Sequence, residues 1–418
     1  MAKNDGLSPF RWLILLAIVP IIVSTEMMWL SLAPIASMAE EYYGIDSMRV
    51  ALFSMSYMLM YIIFSLPASW VVDKFGYRYS LIAGALLTAV FGLTRAVFAD
   101  NFTLVLASQF IIAAGQPFLL NISTKVPANW FPVYERSTAA GILTLAQYIG
   151  FAVPMVLAPA LAESRGIPFT LKAFALIALI SAFIAIAFTR EKPKSPPPGP
   201  VTPREDLSIS SVKRLFKNKA FFLVLFICFI SMGIFNTLLT LIESILQPRG
   251  ISPAQAGIVG AVFVVAGVAG AVILPVISDR LGKRVPFFIA AIALLTPVYS
   301  GFTFISNFII VSILAGIAGF SIMGVAPVLF QHGSEVAYPV QEGTSLGIIL
   351  LMGQISGAVF VFLFETLQTA SGSAIWPMLA VVALNSLVLP FTFKIRESKL
   401  IMTKASGSAD AGTLLHKQ

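Results

Sequence analysis

Charge is what this chain has least of. Only 11% of its 418 residues are Asp, Glu, Lys or Arg, against 58% apolar, and the mean hydropathy is +0.91. A water-soluble domain carries about 25% charged residues, so a soluble globule is excluded and most of the surface must face lipid. Cysteine is almost missing as well. The single Cys228 rules out an internal disulfide, and its apolar surroundings give redox chemistry no partner. With His332 and His416 as the two histidines, no Cys/His metal cluster can be assembled. Nucleophile–base pairs and phosphate loops are lacking too, so the chain does not read as an enzyme and no cofactor is expected.

What is present is a series of long apolar runs. A membrane-spanning helix needs roughly 20 mostly apolar residues. Twelve candidates meet that length: 11–33, 47–71, 79–98, 102–124, 137–161, 169–189, 219–246, 254–277, 285–304, 307–330, 343–367 and 374–394. The first follows Lys3 and Arg11 as a secretory signal would, but it outruns a signal core and eleven similar spans follow, so it reads as a retained helix. Between the sixth and seventh lies EKPKSPPPGPVTPREDLSISSVKRLFKNK, a solvated linker rich in proline and charge. The expected organisation is a six-helix bundle (1–189), a linker (190–218), a second six-helix bundle (219–395) and a tail (396–418).

Orientation follows from Lys and Arg. With the N-terminus inside, 22 of the 27 fall on that side; Arg49, Arg95, Arg165, Lys172 and Arg249 fall on the other. The net charge of +8 is therefore a topology signal placing both termini in the cytoplasm, at the plasma membrane. Basic residues spread along one membrane face do not form a nucleic-acid patch. No nucleic-acid partner is expected, and a monomer is.

The two halves repeat. FPVYER (131–136) and YPVQEG (338–343) lie 207 positions apart, and that offset also carries Gln147 onto Gln354 and Gly150 onto Gly357. DKFGYR (73–78) and DRLGKR (279–284) are 206 apart, on the same predicted side. Halves in the same orientation are parallel repeats about an axis along the membrane normal. At these turns the chain resembles the major facilitator superfamily, whose signature loop is D-x-x-G-x-R. Here it is Asp73, Gly76 and Arg78, then Asp279, Gly282 and Arg284. The resemblance implies an all-α fold of twelve transmembrane helices in two bundles. It also implies a gate whose charges meet each other or the helix dipoles of the opposite half. Anchoring the helix ends against lipid is the plainer alternative. Glu135, Arg136 and Glu342, in the other pair of turns, join the gating candidates.

Ionisable and amide groups at membrane depth are costly and tend to be functional. Glu26 and Trp29, three residues apart, share a helical face, a pairing that suits an organic cation through charge and ring quadrupole. Glu26 also reads as a carboxyl that stays protonated or couples a proton, and Trp29 as an interfacial residue. Gln116, Gln147, Tyr148 and Gln354 either cross-link helices or line a cavity. Asn236 and Thr240 form a weaker polar face, while Gly257, Gly260, Gly267 and Gly270 read as close-packing positions. No Lys or Arg lies at the middle of a span, which favours a cationic or neutral substrate over an anion.

EVAYPVQEGTSLGIILLMGQISG (335–357) and GQPFLLNISTKVPANWFPVYERSTA (115–139) are similar to the feline leukaemia virus subgroup C receptor-related family, as is the placing of Trp29 fifteen residues before the glycine of YYGI. That family is associated with choline, ethanolamine and haem transport. The resemblance implies an aromatic cage around a quaternary ammonium, with Trp29, Gln116 and Gln354 at the substrate and Glu335 at the gate. Where the family has a cage tyrosine, SMGIFNTLLTL places Asn236 beside Phe235. The expected function is a secondary transporter of a small organic cation by alternating access, with a coupling proton as a second candidate partner. The alternatives are transport of haem, an organic anion or a neutral metabolite, and a receptor or sensor that does not transport.

Overall fold

The computed structural model describes residues 8, 10–123, 125–193, 215–337, 340 and 342–397, without the side chains of 133, 134, 137 and 342–344. Most of the linker, the tail beyond 397, and Tyr338, Pro339 and the Glu342 side chain lie outside the described residues. In chain order the helices are α1 (Arg11–Trp29), α2 (Ala36–Tyr43), α3 (Ser47–Lys74), α4 (Tyr77–Val97), α5 (Phe102–Leu120), α6 (Lys125–Trp130) and α7 (Val133–Phe188). They continue as α8 (Lys219–Thr240), α9 (Ile242–Leu246), α10 (Pro253–Leu281), α11 (Val285–Phe304), α12 (Phe308–Val336), α13 (Glu342–Ser371) and α14 (Ile375–Thr392).

Among the described residues, eleven helical segments are long and apolar enough to cross a membrane. One of them is two crossings. Helix α7 has 56 residues, about 84 Å at 1.5 Å per residue, whereas a bilayer core is about 30 Å thick. It breaks at Gly166, where φ is 79° and ψ is 171°, a conformation that L side chains rarely adopt. Counting α7 twice gives the twelve crossings expected from the apolar runs.

Polar side chains fix several starts. Asp46 accepts from the Arg49 N–H before α3, Asn101 from the Leu104 N–H before α5, and Asn307 from the Ile309 and Ile310 N–H groups before α12. The first and seventh spans are shorter than the apolar runs suggested. Helix α1 stops at Trp29 and resumes as α2 after a 3-10 turn, and α8 stops at Thr240 before the five-residue α9. Large apolar side chains such as Leu66, Phe183, Val272 and Phe362 stand exposed, as a lipid-facing surface requires.

The described residues group into two compact units, one within Met1–Pro203 and Leu238–Ala261, the other within Arg204–Thr237 and Val262–Gln418. The division by contacts thus departs from a cut at the linker, because Leu238–Ala261 packs with the first half. The reason is local. A Cβ on Gly257 would lie 2.0 Å from the Met155 carbonyl oxygen of α7, and one on Gly260 2.7 Å from the Met155 sulfur. In the second unit the same close approach occurs at Gly270, 2.2 Å from the Phe320 oxygen of α12, and at Gly267, 2.1 Å from the Met323 sulfur. These four glycines are packing positions.

Candidate functional site

In the first unit, Glu26 faces α5. The Gln116 amide donates from Nε2 to both Glu26 oxygens at 3.0 Å, and Gln116 Oε1 is buried without a hydrogen-bond partner. Glu26 is 1% exposed, and no Lys or Arg pairs with it among the described residues. Helix α7 presses on the other side, where a Cβ on Gly150 would come within 2.5 Å of the Glu26 Cβ. One turn on, Trp29 is 5% exposed. Its indole N–H donates to the Ser54 carbonyl at 3.0 Å; its ring stacks on Tyr57 at 6.4 Å and meets Phe151 edge-on at 5.2 Å. A carboxyl with no basic partner therefore lies one turn from three aromatic rings. Gln147 and Tyr148 are half-buried on α7, with the Tyr148 ring 5.9 Å from Phe151.

Phe235, Asn236 and Gln354 belong to the second unit. Asn236 is buried, and its Nδ2 donates to the Gly353 carbonyl at 3.2 Å. That bond fixes α8 against α13 one residue before Gln354, which is half-buried. Phe235 packs its ring 6.0 Å from Phe263.

Arg95, counted among the charges of the far side, lies in the last turn of α4 and is 0% exposed. Its Nη1 donates to Ser31 Oγ at 3.1 Å and to Gln109 Oε1, and its Nη2 approaches the Met28 sulfur at 2.9 Å.

The signature loops have the same construction in both units. Gly76 and Gly282 have φ of 98° and 59°, left-handed values that account for glycine there. After each glycine, a glutamate from far along the chain caps the next helix. Glu191 accepts from the Tyr77 and Arg78 N–H groups at 3.3 and 2.8 Å; Glu397 accepts from those of Arg284 and Val285, both at 2.9 Å. An anion at a helix N-terminus is favoured by the free N–H groups and the dipole. The two glutamates are 206 residues apart, the offset of the loops themselves, and each follows an arginine, Arg190 and Arg396. That repeated Arg-Glu was the signal that could have found them.

The loop side chains differ between copies. Arg284 is buried and donates to Glu335 at 2.8 Å and to Asp279 at 3.2 Å. In the first copy Asp73 pairs with Lys125 at 3.8 Å. Glu135 pairs with Arg11 at 2.9 Å, and Arg136 donates to the Phe131 carbonyl at 3.1 Å.

Glu243, on α9 between two membrane-length helices, is buried and accepts from the Ser37 N–H at 2.9 Å and O–H at 2.7 Å. Burial pushes its carboxyl above the usual range, and the two Ser37 bonds pull it back. Among the described residues, no three His, Cys, Asp or Glu side chains gather as metal ligands do.

Twelve membrane crossings, twinned Gly-turn loops with matching glutamate caps, and a buried carboxyl among aromatic rings define a polytopic membrane transporter rather than an enzyme. The family model of the Major Facilitator Superfamily matches residues 16–361, and the chain belongs to that superfamily. It is 30% identical over 383 residues to "Solute carrier family 49 member A3" of Danio rerio, covering 87% of this chain and 80% of that one. It is 28% identical over 370 residues to "Choline/ethanolamine transporter FLVCR2" of Homo sapiens, covering 84% and 70%. Among solved structures it superposes on a bacterial homologue of the human lysosomal transporter Spinster with a TM-score of 0.74, at 15% identity over 93% of this chain and 98% of that one. That likeness bears on the fold alone.

Proposed function

We propose that this integral membrane protein carries a small organic cation, of the choline or ethanolamine kind, by alternating access. The observation that carries the reading is Glu26: a buried carboxyl with no Lys or Arg partner among the described residues, one turn from Trp29, Tyr57 and Phe151. A cation entering there gains the carboxylate's charge and the ring quadrupoles together. Gln116 Oε1, buried without a partner, is a further acceptor for it. The relatives named as choline/ethanolamine transporters support the same class.

In this reading Glu26, Trp29, Gln116, Gln147 and Tyr148 are the substrate-binding candidates of the first unit, and Gln354, Asn236 and Phe235 are those of the second. The loops at Asp73–Arg78 and Asp279–Arg284, with Glu335, Glu135 and Arg136, hold and release the gate. The protein works as a monomer in the plasma membrane with both termini cytoplasmic, and Glu26 takes up a proton when the cation leaves. A second reading, an organic anion, draws on Arg95, whose Nε has no partner. Its other donors are committed and it is fully buried, so the cation reading is preferred.

The test is the melting temperature of the purified protein with choline, ethanolamine, haem, a dicarboxylate and a sugar. A ligand at 100 times its Kd stabilises the native state by about 2.7 kcal/mol. Choline or ethanolamine is expected to raise the melting temperature; a rise with the dicarboxylate or sugar alone overturns the cation reading.

A further inference from the structure

We infer that Arg95 and Gln109 are positioning residues for Trp29; the inference rests on the reading of Trp29 as part of the substrate site. Helix α1 stops at Trp29; the Leu30 N–H still caps the Glu26 carbonyl, but the carbonyls after it are left without intrahelical donors. Gln109 of α5 supplies one, donating from Nε2 to the Met28 carbonyl at 3.0 Å and to the Phe53 carbonyl of α3 at 3.3 Å. Ser31 Oγ donates to the same Met28 carbonyl at 3.0 Å. Arg95 of α4 stands behind both, donating to Ser31 Oγ and Gln109 Oε1.

The acceptors then close on the indole. Phe53 and Ser54 are consecutive on α3. Gln109 holds the first by its carbonyl, and the second accepts the Trp29 N–H at 3.0 Å while its hydroxyl reaches back to the Trp29 carbonyl at 3.4 Å. The ring plane of Trp29 is thus set by one residue whose neighbours on both helices are tied to Gln109.

The charge on Arg95 tells this arrangement apart from ordinary helix glue. A buried guanidinium is costly without a counter-charge, and among the described residues no carboxylate pairs with it. Arg95 stands in the last turn of its own α4 and reaches Ser31 Oγ and the Met28 sulfur at the end of α1, which places its charge near the negative ends of two helix dipoles. Two of its contacts, to Ser31 Oγ and the Met28 sulfur, exist because α1 ends where it does, so its charge favours the position of the break and of the tryptophan before it.

The test uses full-length protein labelled with 5-fluorotryptophan, whose five tryptophans are read as separate fluorine resonances, with the Trp29 signal assigned by Trp29→Phe. Gln109→Met removes the amide at similar volume. Arg95→Lys keeps the charge but loses the planar fork. Both are expected to shift or broaden the Trp29 resonance and leave those of Trp12, Trp70, Trp130 and Trp376 in place. Choline affinity should fall roughly tenfold in each, and by less than about twofold when the same change is made on a Trp29→Phe background, because the two positions are coupled. If Arg95→Lys does not fold, Gln109→Met carries the test. An unmoved Trp29 resonance with a lowered melting temperature would mean glue only and overturn the inference, as would an equal loss of affinity on both backgrounds. Should the wild type bind no choline, the resonance still decides the positioning role, and the substrate reading fails by itself.

Discussion

Glu26→Gln is expected to reduce the affinity for choline or ethanolamine by on the order of 10²-fold or more while leaving the protein folded. The carboxyl is enclosed by α1, α5 and α7, with the Gln116 amide on both its oxygens and no Lys or Arg partner among the described residues. In a site that dry, removing one member of an ion pair costs roughly 3–5 kcal/mol, and each 1.4 kcal/mol is tenfold in affinity. Glutamine keeps the volume and removes the charge, so stability should hold or rise, since an uncompensated buried carboxyl is itself unfavourable. Equilibrium binding and melting temperature check both statements. A variant that binds the cation as well as the wild type, but no longer accumulates it against a proton gradient, would assign Glu26 to the proton alone.

Arg284→Met is expected to destabilise the second unit by up to about 3–5 kcal/mol, because it takes the guanidinium partner from Glu335, whose side chain is 10% exposed. The Glu397 cap should survive, since it is made to the Arg284 and Val285 backbone N–H groups. Adding Glu335→Met to Arg284→Met should restore most of the stability, because neither member of the pair is then left without the other. Asp279→Asn should matter little to stability: its side chain is 67% exposed, and exposed ion pairs contribute about 0–1 kcal/mol. Thermal unfolding of the four proteins in one detergent measures all of this. Equal melting temperatures for Arg284→Met and the wild type would remove Arg284–Glu335 as a structural ion pair.

Much of this was readable beforehand, and the unread part has a physical pattern. The twelve crossings follow from apolar runs, because burial in lipid leaves a length signature that survives without neighbours. The signature loops were readable because a positive-φ glycine between an acid and a base is a local requirement, met twice. The breaks after Trp29 and Thr240 were not. LSLAPI and LIESIL stay apolar, and hydropathy does not register a change of helix direction. The place of Arg95 near a span end was readable, but its burial was not, because that depends on Ser31, Met28 and Gln109, which come together only in the fold. The Glu191 and Glu397 caps were within reach, since the 206-residue offset already found at the loops also joins Arg190-Glu191 to Arg396-Glu397. Gln116 was singled out from sequence, but its bond to Glu26 spans 90 residues and had no local signal.

The central claim is that the buried carboxyl on α1 selects an organic cation for transport. Counterflow tests it most directly: liposomes containing purified protein and loaded with unlabelled choline are diluted into labelled choline. The account predicts transient accumulation of label by the wild type, competition by ethanolamine, and none of either with Glu26→Gln. Accumulation of a labelled dicarboxylate or sugar instead, unaffected by Glu26→Gln, would contradict it.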